Sequence, residues 1–130
     1  MGGAAMKKIL GTMVLAIGAL TSGYATAHGT PVAHHGGVVQ AVGETWLELV
    51  VKGDQVELYL QDDGDDMPSA EVTGKVTLVT AAGKQEFALK PAGGNKLEAK
   101  APGAAKAGKV SALLTMADKK TRVSTTFAVK

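Results

Sequence analysis

Gln55-Val-Glu-Leu-Tyr-Leu-Gln61 decides the fold. In an extended chain Val56, Leu58 and Leu60 point to one side, and Gln55, Glu57, Tyr59 and Gln61 to the other. A period of two marks a half-buried strand, because successive side chains leave opposite faces of a sheet. The preceding stretch, Thr45–Val51, repeats the pattern with Leu47, Leu49 and Val51 on one face and Trp46, Glu48 and Val50 on the other. Lys52-Gly53-Asp54 joins the two runs with hairpin-turn chemistry.

Working outward, the same alternation returns between turn signals. Gly37–Val42 precedes the hairpin; Lys75–Thr80, Gln85–Lys90 and Lys96–Lys100 follow it, separated by Ala81–Lys84 and Pro91–Asn95. Lys109–Ala117 and Thr121–Lys130 close the chain, and Ala101–Gly108 reads as a brief turn. No segment sustains a helical period, and no repeat or linker divides the domain. Short strands with turns about every ten residues predict an immunoglobulin-like antiparallel β-sandwich of about seven strands, with a small barrel as the second architecture.

The first residues read differently. Lys7 and Lys8, the apolar run Ile9–Leu20 and the small-x-small triplet Ala25-Thr26-Ala27 predict a cleaved signal peptide over residues 1–27. Gly11, Gly18, Thr21, Ser22 and Gly23 interrupt the run or close it early, which argues against a membrane anchor of roughly 20 apolar residues. Met1 and Met6 both serve as candidate starts. The expected mature protein is periplasmic and not membrane-anchored, with a flexible arm at residues 28–36 and a β-domain at 37–130.

With residues 1–27 removed, twelve bases balance twelve acids, and Arg122 is the lone arginine. Such a balance argues against nucleic-acid binding. Residues 28–74 carry nine acids and one base, residues 75–130 eleven bases and three acids. The two halves either pair their charges across the sheet or present opposite faces to partners. There is no cysteine, so disulfides, thiolate metal sites and thiol catalysis are excluded.

Chemistry concentrates near the expected mature N-terminus, in His28-Gly-Thr-Pro-Val-Ala-His34-His35-Gly-Gly. All three histidines of the chain lie there, and imidazole is the commonest protein ligand for copper, zinc and nickel. Cleavage after Ala27 would make His28 the first residue, whose amine and ring chelate together. One more imidazole from His34 or His35 then suits Cu(II), which favours tetragonal nitrogen ligation. Cleavage after Ala25 would leave His28 third, the position for a square-planar amine–amide–imidazole site. His34 and His35, being adjacent, point to opposite sides of an extended arm, so one binds metal while the other faces the sheet or a carboxylate. Gly36-Gly37 permits the arm to fold back.

A second cluster, Asp62-Asp-Gly-Asp-Asp66, offers carboxylates, of which Asp62 and Asp63 are candidate oxygen ligands to a metal held by the histidines. The competing reading is a solvated acidic turn ended by Pro68. Met67 and Met116 are too few for a thioether copper site around Trp46. Serine and threonine have no base except on the arm, and no phosphate-cradling glycine loop is present, so catalysis is not expected.

His35-Gly-Gly-Val-Val, Trp46-Leu-Glu-Leu-Val and Val56-Glu-Leu-Tyr-Leu-Gln-Asp62, with Gly64, Pro68 and Asn95-Lys-Leu-Glu-Ala-Lys100, resemble a small exported domain. It occurs alone near heavy-metal efflux systems and within the periplasmic adaptor subunits of such pumps. The resemblance implies a β-rich periplasmic protein handling copper or zinc, with His35 its most recurrent position and an efflux-pump component as partner. Few histidines and no methionine run set this chain apart from the usual arms. The expected function is to buffer or deliver Cu(II), or Zn(II) as second choice. The alternative is a metal-free interaction module docking through a sheet edge or the basic C-terminal half.

Overall fold

Two tight hairpins start the fold. The computed structural model describes residues 29–129. Strand β1 (Val38–Val42) pairs with β2 (Thr45–Lys52), and β2 pairs with β3 (Gln55–Asp62), all antiparallel. Lys52 stands opposite Gln55, leaving Gly53-Asp54 as a two-residue turn. Gly53 has a φ of +58°, which a residue without Cβ adopts freely. The short β4 (Asp65–Asp66) folds back on the end of β3.

The remaining strands are β5 (Thr73–Thr80), β6 (Gly83–Pro91), β7 (Lys96–Lys100), β8 (Lys109–Thr115) and β9 (Arg122–Ala128). A single turn of 3-10 helix at Ala104–Lys106 falls within the brief turn read from the sequence. Neighbouring strands run in the order β1-β2-β3-β7-β6-β5-β8-β9, with β4 attached to β3. Lys90 and Pro91, at the end of β6, pair with Glu98 and Leu97 of β7 and so join the two halves into one ladder. The antiparallel sheet curls until β1 and β9 lie near each other, nearly closing a barrel.

The all-β antiparallel class is as expected. Among the described residues the strand count is nine instead of about seven. Eight strands coincide with runs that alternate in the sequence, and the ninth is β4, whose two aspartates carry no hydrophobic signal. The paired end of β6 makes the strand path continuous, closer to the second-choice barrel than to two separate layers.

The faces of β2 and β3 follow the alternation. Leu47, Leu49, Val56, Leu58 and Leu60 are buried in the core with Phe127 of β9. Across the barrel, Val76, Leu78, Leu89, Val110 and Leu114 complete it. Burying a side chain of this kind contributes about 1.5–3 kcal/mol. Ser69, fully buried, donates its hydroxyl to the Lys96 carbonyl at 2.8 Å. Charge pairing is partly across the halves: Lys96 meets Glu57, and Lys119 meets Glu71 at the exposed rim.

Candidate functional site

The outer face of β2 and β3 should be polar and wet, yet Glu48 is only 5% exposed and Glu57 only 6%. The cover over Glu48 is the arm preceding β1. Glu48 Oε2 accepts the amide hydrogens of His35 and Gly37, each at 2.8 Å, and Oε1 accepts that of His34 at 3.0 Å. The His35 ring completes the set, with Nδ1 at 2.9 Å from Oε1. One carboxylate thus gathers four donors from three arm residues, two of them from His35 and none from Gly36.

Glycine at position 37 makes this approach feasible. A Cβ there would stand 2.2 Å from the Leu49 carbonyl oxygen, closer than atoms can pack. The backbone of the arm therefore reaches β2 only because residue 37 has no side chain.

The contact with Glu48 sets the tautomer of the His35 ring. Burial is the largest influence on Glu48 and raises its pKa, but the His35 ring and the amides of Gly37, His34 and His35 together hold it below the usual carboxylate range. An ionised carboxylate only accepts, so Nδ1 must carry the hydrogen. In neutral imidazole the lone pair then resides on Nε2. Among the described residues Nε2 has no hydrogen-bond partner, and the His35 side chain is 41% exposed.

Tyr59 supplies the plane. On β3 it stands opposite Glu48, and its ring stacks on that of His35 with centroids 3.6 Å apart and planes 5° from parallel. The Tyr59 hydroxyl donates to Glu57 Oε1 at 3.0 Å. Glu57 is flanked by Lys52 and Lys96, each at 3.4 Å. Burial raises the Glu57 pKa, but the Tyr59 hydroxyl and the two lysines outweigh it and hold the carboxyl low. Tyr59 is pushed up, first by burial, then by its bond to Glu57 and the charges of Glu57 and Glu48.

Beside the ring lies a small pocket between arm and sheet, lined by Val32, His34, His35, Trp46, Gln61 and Asn95 among others. Gln61 and Asn95 direct their amide nitrogens toward Asp66 Oδ1, at 3.2 Å and 3.4 Å.

His34 and His35 sit together at the edge of this pocket, His34 exposed and His35 held by Glu48. His28 and the signal-like segment 1–27 lie outside the described residues. Asp62 and Asp63 are exposed at the β3–β4 turn, where Gly64 packs under Trp46. Among the described residues no three His, Cys, Asp or Glu side chains gather as a metal-binding group.

Glu48 and Tyr59 escaped the sequence reading of the site. Their shared face was legible from the alternation, but their burial comes from an arm with no periodicity of its own. A carboxylate facing one of the adjacent histidines was anticipated in kind, without its number. Searches against family models, curated proteins and solved structures find no match to the chain.

Proposed function

We propose that the chain is a periplasmic metal-binding protein that buffers Cu(II), or Zn(II) as second choice, and passes it to a heavy-metal efflux system. The observation that carries this reading is the Glu48–His35 contact at 2.9 Å. A carboxylate on Nδ1 fixes tautomer and ring orientation and makes Nε2 a better donor, the outer-sphere arrangement that accompanies metal-bound histidines. A buried carboxylate committed to four arm donors is a costly device for anchoring an arm, and it leaves Nε2 of a half-exposed ring for a ligand.

His35 supplies the first ligand through Nε2, and His34, which lines the same pocket instead of pointing away from it, the second. His28 brings a third imidazole. Nitrogen donors of this kind suit copper and zinc. Sparse ligation with half-exposed donors favours exchange over storage, as delivery requires. The exported location rests on the signal-like segment, and the efflux partner on the resemblance of the His35, Trp46 and Val56 motifs.

Native mass spectrometry of the exported protein, offered one equivalent of copper or zinc, tests the reading. The protein should retain one ion, and His35→Ala should lose it. Retention after replacing His28, His34 and His35 together would reject the assignment. A chain that takes no metal yet captures a partner in chelator would instead support the interaction-module alternative.

A further inference from the structure

We propose that Glu48 determines metal specificity by capping both atoms through which His35 would chelate, which makes this histidine a one-point ligand through Nε2. The inference rests on the metal-binding reading above and adds to it the mode of ligation.

A histidine in a free peptide offers Cu(II) or Ni(II) a six-membered ring closed by Nδ1 and its own amide nitrogen. The metal takes the place of the amide hydrogen, which leaves to solvent as a proton. Nε2 sits on the far side of the imidazole and cannot close a ring with that amide. In this structure Glu48 Oε1 holds Nδ1 at 2.9 Å while Oε2 holds the His35 amide at 2.8 Å. The same carboxylate engages the amides of His34 and Gly37, at 3.0 Å and 2.8 Å. The neighbouring nitrogens that would extend a square-planar chelate toward His34 are therefore also committed.

Glu48 is 5% exposed, so water cannot readily replace these bonds, and hydrogen bonds are stronger away from solvent. A chelating metal would have to evict the carboxylate and leave it buried without partners, a costly state. The clamp thus withholds the amide chelate that gives Ni(II) and Cu(II) their hold on flexible histidine peptides. A metal that binds imidazole without displacing amide hydrogens, such as Zn(II), loses nothing. Cu(II) is restricted to imidazole donors, which exchange faster than a deprotonated-amide chelate.

Visible circular dichroism of the Cu(II)-loaded mature chain reads this directly. A chelate ring that includes the chiral Cα makes the copper d–d band optically active, whereas imidazole alone does not. The measurement uses a His28→Ala background, so that chelation around position 28 does not contribute. With Glu48 present, the band should be visible in absorption and nearly silent in dichroism. Glu48→Ala should make it optically active, shift it to the blue, and allow Ni(II) to bind as a square-planar complex. Zn(II) affinity should fall about tenfold in the same variant, because Nε2 loses its orienting partner.

Glu48→Gln should give a weaker form of the same change, since its NH2 cannot accept from Nδ1–H. An optically active band in the Glu48 protein that vanishes with His35→Ala would overturn the proposal while leaving metal binding intact. That spectrum decides the matter even where Glu48→Ala does not fold. Absence of any copper or zinc uptake would overturn the metal-binding reading and this inference together.

Discussion

Glu48 and Glu57 are two buried carboxylates on the same outer face, and they are satisfied in different ways. Glu57 is surrounded by charge and hydroxyl: Lys52, Lys96 and the Tyr59 hydroxyl. Glu48 has no lysine or arginine partner among the described residues and takes backbone amides and one imidazole instead. The partners of Glu57 come from β2, β3 and β7 and tie strands together. Those of Glu48 come from the arm and tie the arm to the sheet. The first arrangement strengthens a ladder that exists without it, and the second makes a loose segment part of the fold.

The largest effect should follow Glu48→Ala. Removing the acceptor leaves four donors without a partner, and breaking such a network costs about 2–4 kcal/mol. The diagnostic result is local: amide exchange at His34, His35 and Gly37 should accelerate far more than exchange in β5 or β8. Uniform acceleration would mean that Glu48 supports the whole barrel, and the contrast would fail. Gly37→Ala should come next, with a loss of about 1–3 kcal/mol by chemical denaturation, because its Cβ collides with the Leu49 carbonyl.

Glu57→Ala should cost less, about 1–2 kcal/mol, since Lys52 is 66% exposed and regains water easily. Its cost should shrink in high salt, whereas that of Glu48→Ala should not, because neutral amides are not screened like lysines. A salt response shared equally by the two would erase the distinction. Tyr59→Phe should be the mildest, about 0.5–1.5 kcal/mol, keeping the ring on His35 and losing only the bond to Glu57.

Both carboxylates are held below their ordinary range in the folded state. The stability they supply is therefore present above the unfolded glutamate value, about 4.3, and is lost as pH falls through the lowered folded values. Tyr59, pushed up, acts at the other end: its contribution is present below about pH 10 and lost as pH rises through the folded value. Acid denaturation of Glu48→Ala should accordingly begin from a lower plateau and fall less steeply than that of the unaltered chain.

The core was legible because hydrophobic burial leaves a periodic trace. Leu47, Leu49, Val56, Leu58 and Leu60 could be assigned to one face from spacing alone, and all five are buried. The outer face gave no such trace. Glu48 and Tyr59 look like ordinary solvent-facing residues, because what buries Glu48 and stacks on Tyr59 is an arm thirteen residues upstream of Glu48. The arm is held by directional hydrogen bonds from backbone atoms, which every residue but proline carries and which no side-chain pattern encodes. Gly37 was visible as a hinge, but its need to lie against Leu49 was not. The acidic turn misled in the opposite sense: four aspartates in five residues draw attention to charge and conceal the two-residue strand β4 within them.

The most direct test of the account is a long-range proton–nitrogen correlation spectrum of the histidine rings, recorded before and after one equivalent of Zn(II). His35 should carry its hydrogen on Nδ1 in the metal-free protein, and Zn(II) should shift its Nε2 resonance alone. A hydrogen on Nε2, or a His35 ring unmoved by metal, would contradict the claim that Glu48 orients this histidine as a ligand.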